Sequence, residues 1–270
     1  MNLNQTTKQI SRQRFTSGEW KSAQDWVAVE DPLELAICVD GVDHQVALTM
    51  RTPGDDEALL AGFLFSEGVI EQGQLHGFRH TPQRCTALIK EGTPVDLSAL
   101  QRNVTTNSSC GICGRPDASS LRPAKPVTAD WGVPPEILMR TAESLDQAQA
   151  GFKVTGGLHA AALWDVSGQL LMLREDVGRH NAVDKLLGHL ILNHALPISQ
   201  AWLMVSARAS YELVQKAVLA GIPVMAAFGA PSSLAIETAE HGRLTLVGFL
   251  SPRSFNVYTH PKRLHVDGFK

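Results

Sequence analysis

The sequence is poor in cysteine, with four in 270 residues, and these four do not form the framework of a disulfide-rich protein. Cys38 and Cys85 stand alone in apolar, strand-like runs, whereas Cys110 and Cys113 belong to a single Cys-x-x-Cys segment. Structural disulfides persist mainly in oxidising compartments. Because the amino terminus also has no apolar signal core, we expect a protein of the reducing cytoplasm.

Long apolar runs and a strong charge of either sign are also missing. The longest apolar candidate, residues 214–228, is interrupted by Gly221 and Pro223, whereas a membrane helix needs about 18 apolar residues in a row. The formal net charge of −3 gives no general attraction to nucleic acid or to anionic membranes. We therefore expect neither as a partner, and an anionic ligand would have to be bound by local basic groups.

Several sequence motifs of common binding sites are absent as well. No G-x-G-x-x-G follows an apolar strand and no G-x-x-x-x-G-K-[ST] is present, so the Rossmann and P-loop modes of phosphate binding lack their glycines. No H-x-E accompanies the Cys-x-x-Cys, because His180 is followed by Asn181 and Ala182. The chain is therefore not expected to be a zinc deaminase.

The composition is that of an ordinary globular protein, with 44% hydrophobic, 19% charged and 6% aromatic residues. A chain of this length can bury one large core or two modest ones. We predict an α/β fold in three parts. A flexible arm covers residues 1–24, a smaller N-terminal α+β part covers residues 25–121 and ends in the Cys-x-x-Cys loop, and a C-terminal α/β cofactor-binding domain covers residues 127–264.

The N-terminal α+β part begins with a predicted hairpin. Residues 33–39 and 44–50 alternate apolar and polar side chains around Asp40-Gly41, a pair typical of a type I′ turn. The segment TPGD at residues 52–55 predicts a helix start with proline in its first position. Residues 84–90 predict a further strand.

The first half of the C-terminal domain predicts a helix and a second hairpin. Apolar positions with a 3.6-residue period follow Pro134-Pro135, and residues 159–164 and 170–173 read as paired strands. Asp176, His180 and Asp184 would share one face of the next helix if it began by residue 176. That face is either a solvated charge stripe or a polar cluster that contacts a ligand.

The last third predicts a parallel sheet with helices on both faces. Short apolar runs at residues 201–205, 222–228 and 244–249 alternate with two helical segments, which is the pattern of a mostly parallel sheet. In such a sheet the loops after the strands' carboxyl ends gather at one edge and form the ligand site.

The three loops at this predicted edge have a shared chemistry. Each contains small and hydroxyl-bearing residues, two contain arginine at positions 208 and 253, and two precede helix N-termini, whose free amides favour anions. A phosphate-bearing ligand is therefore predicted. The alternative is that serine, glycine and proline are present only because caps and turns use them.

Cys110 and Cys113 lie in the segment SCGICGR at residues 109–115, between polar stretches. Neither helical nor strand periodicity covers this segment, which therefore predicts a loop. Thiol reactivity follows exposure and thiolate character, so a loop of this kind favours reactive thiols over packed ones. Two unreactive loop cysteines are the alternative.

Three chemistries use a Cys-x-x-Cys pair. A structural zinc site needs four ligands, and Cys38 and Cys85 are poorly placed to complete one, so no metal is expected. A thioredoxin-like dithiol would open a helix directly after a strand, which the surrounding glycines oppose. Sulfur relay, in which a thiolate holds sulfur as a persulfide and passes it on, suits a loop best. Zinc and dithiol chemistry stay as alternatives.

Several long sequence segments, which follow one another in a fixed order, resemble segments of one known protein family. The chain resembles the formate dehydrogenase accessory sulfurtransferase family, FdhD, over about residues 27–264. The strings that carry the resemblance include MRTPGDDEALLAGFLFSEG at 50–68, SCGICGR at 109–115, REDVGRHNAVDKLLG at 174–188 and APSSLA at 230–235. Together they are far more specific than the Cys-x-x-Cys alone.

The resemblance implies a cytidine-deaminase-like fold, usually in a homodimer, and a sulfurtransferase activity. It implies that sulfur is taken from a cysteine desulfurase and carried as a persulfide on Cys110, with Cys113 as the partner thiol. The implied acceptor is the molybdenum bis(molybdopterin guanine dinucleotide) cofactor for the formate dehydrogenase apo-enzyme, and the protein needs no cofactor of its own. The implied cofactor-binding residues are Phe249, Leu250, Ser251, Pro252, Arg253 and Ser254.

One residue departs from the pattern that the resemblance implies, and one alternative function stays open. Ala207 stands where glycine is expected between serine and arginine, so the shape of that loop is in question. The alternative function is a non-catalytic chaperone that binds the molybdenum cofactor for formate dehydrogenase. In that case the cysteines would only bind metal or sulfur ligands.

Overall fold

A computed structural model describes residues 3–95, 126–198 and 200–264 of the chain. The strands in these ranges form a two-stranded, a four-stranded and a six-stranded sheet, so the predicted mixed α/β class is confirmed. The strands are β1 (Thr7–Thr16), β2 (Glu19–Ala28), β3 (Asp31–Val39), β4 (Val42–Arg51), β5 (Leu75–Thr81), β6 (Arg84–Ile89), β7 (His159–Asp165), β8 (Leu170–Asp176), β9 (Ala201–Val205), β10 (Val224–Ala227), β11 (Thr245–Gly248) and β12 (Asn256–Val257).

Helices connect and cover these strands. They are α1 (Leu3–Thr6), α2 (Asp56–Ser66), α3 (Pro135–Ala148), α4 (Ala150–Thr155), α5 (Arg179–Leu192), α6 (Tyr211–Leu219) and α7 (Ser233–His241), followed by a 3-10 turn at Pro261–Leu264. Within the described ranges, no helix is both long enough and apolar enough to cross a membrane.

The amino-terminal segment forms a hairpin that the sequence analysis did not predict within the arm of residues 1–24. The flexibility of that arm is not tested by the described residues and stays a prediction. β1 and β2 pair without interruption from Thr7 opposite Ala28 to Thr16 opposite Glu19. The turn residues Ser17 and Gly18 have φ values of 54° and 88°, as a two-residue type I′ turn requires. The Ser-Gly pair was a visible turn signal, but the polar strands hid the alternation that normally identifies a hairpin.

The predicted hairpin of β3 and β4 is confirmed within the four-stranded sheet, whose order is β4-β3-β6-β5. Its turn residues Asp40 and Gly41 both have positive φ, at 50° and 80°. The predicted helix start was placed too early. Gly54 and Asp55 have left-handed φ values of 101° and 57°, so regular helical geometry begins only at Asp56.

The six-stranded sheet has the order β12-β11-β10-β9-β7-β8. β9, β10 and β11 are parallel, as predicted. However, β7 pairs antiparallel with both β8 and β9, and β12 pairs antiparallel with β11. Three of the five neighbouring pairs are therefore antiparallel, and the prediction of a mostly parallel sheet was wrong. The reason is that the predicted second hairpin joins this sheet through β7.

Helices cover both faces of this sheet, as predicted. α5, α6 and α7 pack on one face through a core that includes Leu186, Leu213 and Ala239. α3 packs on the other face, where Leu138 and Leu145 contact the core that contains the stacked indoles of two buried tryptophans. The described residues do not test the proposed boundaries of the two larger parts.

The N-terminal and C-terminal parts meet where α2 crosses α5. A Cβ atom on Gly62 would lie 1.9 Å from the carbonyl oxygen of Asp184, and one on Gly188 would lie 1.7 Å from that of Ala58. Both distances are far below van der Waals contact, so the two helix backbones touch at these glycines. This contact fixes the position of α5, whose N-terminus lies at the edge of the six-stranded sheet where the loops after β9, β10 and β11 also lie.

Candidate functional site

The loops that follow β9, β10 and β11 lie side by side, as the sequence predicted. The amide of Gly229 donates to the carbonyl of Ala207 at 3.1 Å, and the amide of Phe249 donates to the carbonyl of Gly229 at 3.2 Å. Ala209 and Pro231 also form an isolated parallel bridge. We call this surface the strand-end edge, and it comprises residues 206–210, 229–233 and 249–254.

Three helix N-termini face the strand-end edge. β8 and β9 both run antiparallel to β7, so α5 begins at the same edge as α6 and α7. The first amides of each helix have no intrahelical acceptor, and the helix dipole places partial positive charge there. Ser232 accepts a hydrogen bond from the amide of Ala235 at 3.2 Å and so caps α7. The edge therefore favours anions.

Arg208 and Arg253 supply full positive charge at this edge. Both side chains are exposed, and neither guanidinium takes part in an ion pair with any residue that the structure describes. A Cβ atom on Gly229 would lie 2.7 Å from Cγ of Arg208. Glycine at position 229 therefore allows Arg208 to lie directly over the neighbouring loop.

The loop of residues 249–254 is a compact turn. Ser251 Oγ accepts the amide of Ser254 at 3.0 Å, and the amide of Leu250 donates to Ala227 at 3.0 Å. Phe249 has a left-handed φ of 53° and is 50% exposed, although large side chains avoid this backbone region and usually lie inside. The turn therefore presents an aromatic ring and Arg253 to solvent.

Ala207 fits its loop without strain. Its methyl group is buried in the core under α5, α6 and α7. Its φ does not lie in the left-handed region that would favour glycine. The substitution of alanine for the expected glycine therefore requires no unusual backbone at this position, while its effect on ligand binding stays a prediction.

His180, in the first turn of α5, is a half-buried titratable group next to this edge. Its side chain is 18% exposed, and its Nε2 lies 3.9 Å from an Oε atom of Glu212 without a hydrogen bond. Burial, followed by the positive charges of Lys216 and Arg179, lowers the pKa of His180 to about 3. The imidazole is therefore neutral at physiological pH.

The two aspartates that the sequence grouped with His180 are neither solvated nor facing a ligand. Asp176 ends β8, is fully buried, forms an ion pair with Lys185 Nζ at 2.7 Å, and accepts a hydrogen bond from the amide of Thr52 at 3.1 Å. Asp184 is buried against Lys216 and accepts from Ser66 Oγ at 3.1 Å. Burial raises the pKa of Asp184, and Lys216 opposes this rise. Both aspartates instead tie α5 to the rest of the chain.

The predicted reactive cysteines, Cys110 and Cys113, lie outside the described residues. The other two thiols are free, Cys38 half-buried and Cys85 buried. Burial raises the pKa of Cys85 to about 12, so this thiol stays protonated near neutral pH and is a poor nucleophile. Among the described residues, no group of three histidine, cysteine or acidic side chains could hold a metal ion.

Comparison with known proteins shows which family the chain belongs to. The sequence pattern of the FdhD/NarQ family matches residues 28–265. The chain belongs to the FdhD/NarQ family. It is 42% identical to the sulfur carrier protein FdhD of Saccharolobus solfataricus, over 96% of this chain and 98% of that protein. It is 45% identical to the sulfur carrier protein FdhD of Streptomyces avermitilis, over 93% of each. The predicted resemblance is confirmed.

A solved structure supports the fold of this FdhD/NarQ chain. A crystal structure of a candidate formate dehydrogenase accessory protein from Desulfotalea psychrophila superposes with a TM-score of 0.78. The two chains are 24% identical, and the match covers 96% of this chain and 99% of that one. The architecture described above is therefore shared across the length of both proteins.

Two features of the strand-end edge were not predicted from the sequence. The first is the N-terminus of α5, which reaches the edge only because β8 joins the sheet through β7. The second is the burial of His180, which the sequence places in an ordinary polar string, REDVGRHN. Gly178, directly before Arg179, is one of the residues preferred at helix N-caps and was a visible helix-start signal. No local pattern, however, shows which strand the preceding segment will pair with.

Proposed function

We propose that this chain carries sulfur for the maturation of formate dehydrogenase, as a persulfide-relay sulfurtransferase. The observation that carries the proposal is the match to the FdhD/NarQ family over residues 28–265, which includes the Cys-x-x-Cys segment. The relatives named sulfur carrier proteins cover nearly the whole chain. Cys85, with its raised pKa, is a poor alternative as the sulfur-carrying thiolate.

The loading step is a thiolate attack on a donor persulfide. The Cys110 thiolate attacks the outer sulfur of the persulfide on a cysteine desulfurase, the donor's S–S bond breaks, and the donor leaves as a thiolate. The new S–S bond makes Cys110 a persulfide. No external electrons are needed, because one S–S bond replaces another.

The release step uses the second thiol. When the Cys113 thiolate attacks the inner sulfur of the Cys110 persulfide, a disulfide forms between the two cysteines and the outer sulfur leaves as sulfide. The two thiolates supply the two electrons that reduce the sulfane sulfur. A cellular dithiol reductant must then reopen the disulfide before the next cycle.

The proposed acceptor, the molybdenum bis(molybdopterin guanine dinucleotide) cofactor, is the substrate of this transfer. Its phosphates require donors in a protein of net negative charge. The strand-end edge offers exposed Arg208 and Arg253 beside the N-termini of α6 and α7. The exposed ring of Phe249 adds an aromatic surface on which a base can stack. These features support residues 249–254 as the cofactor-binding segment.

The remaining partners follow from the same proposal. A cysteine desulfurase donates the sulfur, the formate dehydrogenase apo-enzyme receives the finished cofactor, and the carrier works as a homodimer in the cytoplasm. Neither nucleic acid nor a membrane takes part.

A cofactor-binding chaperone is the second candidate. The strand-end edge favours it, because this site can bind an anionic ligand whether or not a cysteine carries sulfur. The two candidates differ in one measurable property, which is whether sulfur from the donor passes through this chain to the cofactor.

A Cys110→Ala variant tests the relay. We expect this variant to fold normally but to gain no sulfur mass on incubation with a desulfurase and cysteine, and to leave formate dehydrogenase inactive. Intact-mass spectrometry and the dehydrogenase assay measure the two effects. Cys38→Ala is the matched control and should still be loaded, while Cys113→Ala should load sulfur but release it slowly. Full dehydrogenase activity with Cys110→Ala would favour the chaperone.

A further inference from the structure

Two polar atoms lie buried where α5 and α6 begin, and they have no hydrogen-bond partner among the described residues. They are Nε2 of His180, in the first turn of α5, and Oγ of Ser210, the residue directly before α6. A buried polar atom without a hydrogen bond costs free energy, so native proteins contain few of them. Two such atoms beside the strand-end edge are therefore candidates for hydrogen bonds to a ligand.

Ser210 differs from the corresponding serine of the next helix. Ser210 and Ser232 are the N-cap residues of α6 and α7 and have almost the same backbone, with φ −83° and ψ 162° against φ −85° and ψ 162°. Ser232 Oγ accepts the amide of Ala235 at 3.2 Å, whereas Ser210 Oγ makes no cap hydrogen bond. Since the backbones agree, the difference lies in the rotation of the side chain. The hydroxyl of Ser210 is therefore available to a group outside its own helix.

Glu212 brings His180 and Ser210 to one place. Its Oε2 atom lies 3.9 Å from His180 Nε2, and it follows Ser210 by two residues in the first turn of α6. The N-termini of α5 and α6 therefore meet at these three side chains. Glu212 has a further hydrogen-bond or electrostatic contact in the protein, but a carboxylate has about four lone-pair sites and can accept additional hydrogen bonds.

These three side chains suit a neutral heterocycle better than a phosphate. The carboxylate of Glu212 would repel an anion at this point. Burial and the positive charges of Lys216 and Arg179 lower the pKa of His180 to about 3, so the imidazole brings no charge of its own. The charge of Lys216 is already paired with Asp184. The site therefore offers a carboxylate with two acceptor oxygens, beside an imidazole and a hydroxyl that can each donate or accept.

We propose that His180, Ser210 and Glu212 bind the pterin of the proposed cofactor by the edge of its 2-amino-4-oxopyrimidine ring. This edge presents two adjacent N–H donors, which match the two oxygens of a carboxylate. It also presents a carbonyl oxygen, which can accept from the hydroxyl or from the imidazole N–H. The inference deepens the proposed function and rests on it, because it takes this cofactor to be the acceptor.

The guanine of the cofactor has the same edge, but the position of the site favours the pterin. α6 follows β9, whereas the loop of residues 249–254 follows β11, two strands away in the sheet or about 10 Å. That loop holds the exposed ring of Phe249, on which the guanine is proposed to stack. In the cofactor the phosphates lie between the pterin and the guanine. Arg208 lies over Gly229, in the loop after β10, and so between the two places.

The first test measures pterin binding by the full-length protein. Quenching of pterin fluorescence should show that 6-hydroxymethylpterin binds about tenfold more tightly than lumazine, in which an oxo group replaces the 2-amino group. Ser210→Ala and His180→Leu should each raise the Kd for the pterin about fivefold or more. His241→Gln, at an exposed histidine that ends α7, should leave the Kd unchanged. No binding by the wild type, or unchanged binding in both Ser210→Ala and His180→Leu, would overturn the inference.

Glu212→Gln tests the recognition of the 2-amino group. An amide replaces one acceptor oxygen by a donor, so this variant should prefer the pterin to lumazine by no more than about threefold. A merely structural role for Glu212 would weaken both ligands equally. An unchanged preference would therefore contradict the proposed contact.

Urea denaturation separates loss of binding from loss of folding. Ser210→Ala should leave the urea midpoint unchanged, because its Oγ makes no hydrogen bond to the described protein. Ser232→Ala should lower the midpoint, because it removes the cap of α7. If Ser210→Ala lowered the midpoint as much as Ser232→Ala does, the hydroxyl would support the fold, and its role as a ligand contact would be wrong.

GDP distinguishes the pterin from the guanine and this inference from the proposed function. In the wild type saturated with GDP, 6-hydroxymethylpterin should still bind, since the two occupy different places. Competition between them, together with weaker GDP binding in Ser210→Ala, would assign the site to guanine and overturn the pterin assignment. Binding of GDP without binding of the pterin would overturn this inference alone. Binding of neither would count against the cofactor as the acceptor and so against the proposed function.

Discussion

Basic side chains lie in two regions of this protein, and they are buried in one region and exposed in the other. At the contact of α2 with α5, Lys185 and Lys216 are buried and paired with Asp176 and Asp184. At the strand-end edge, Arg208 and Arg253 are exposed and have no ion-pair partner among the described residues. The first region joins parts of the chain that are more than a hundred residues apart, since Lys185 also donates to the carbonyl of Thr52.

The difference shows what each region can do. A buried cation must have its counter-charge within the protein, because an unpaired charge in a low-dielectric interior is very costly. An exposed cation is stabilised by its hydrating water and can exchange that water for the phosphate of a ligand. The charges of the first region therefore maintain the fold, and those of the second are available for binding.

The largest effect should follow from breaking a buried pair. Lys185→Met removes the partner of Asp176 and leaves a fully buried carboxylate with only its neutral donors. Removal of one partner of such a pair costs about 3–5 kcal/mol. Urea denaturation should show a loss of unfolding free energy in this range.

Arg208→Ala is the control for that experiment, because it removes an exposed cation with no ion pair among the residues described. Exposed substitutions of this kind usually change stability by no more than about 0.5 kcal/mol. Equal losses in Lys185→Met and Arg208→Ala would remove the distinction between the two regions.

The second effect concerns the binding side of the comparison. A charge-assisted contact is worth roughly 1.5–3 kcal/mol, so Arg253→Ala should weaken binding of GDP, used as a fragment of the cofactor, by about one to two decades. Calorimetry measures this change. Persulfide loading of Cys110 should stay normal, because loading needs only the donor and the thiol.

Arg243→Ala provides the matched control for GDP binding. Arg243 is an exposed arginine directly before Leu244 and β11, and therefore lies at the opposite edge of the sheet. Its removal should leave the affinity for GDP unchanged. If Arg253→Ala and Arg208→Ala both bound GDP as tightly as the wild type, the cofactor site would lie elsewhere.

The smallest expected effect is a loss of stability at low pH caused by His180, which lies where the buried ion pairs and the strand-end edge meet. Its pKa of about 3 in the folded protein is below the ordinary value of 6.5, so the unfolded chain binds a proton first as the pH falls. This histidine therefore costs stability progressively as the pH falls from about 6.5 towards 3, by up to about 2 kcal/mol at pH 5.

His180→Gln should reduce this loss of stability. Comparison of urea midpoints at pH 7 and pH 5 measures it, with exposed His241→Gln as the control. An equal acid-induced loss in the wild type and in His180→Gln would mean that His180 is not held neutral by its surroundings.

Much of the local structure could be predicted from the sequence, because it depends on neighbouring residues. Asp40-Gly41 set the turn between β3 and β4, and the parallel order of β9, β10 and β11 followed from strands that alternate with helices. That order alone placed residues 206–210, 229–233 and 249–254 at one edge, since the carboxyl ends of parallel strands share an edge. The long strings that resemble the FdhD family were likewise sufficient to predict the family.

The tertiary structure alone decided which segments pair across long distances and which charges are buried. The mostly parallel sheet was mispredicted because nothing local in residues 159–176 indicates that β7 will pair with β9. The same applies to Asp176 and Asp184, whose partners Thr52 and Ser66 are 124 and 118 residues away in the chain. The surroundings of a side chain are set by these distant contacts. The periodicity of the sequence could therefore place a residue on a helix or a strand, but it could not show whether water, a ligand or a lysine would lie next to its side chain.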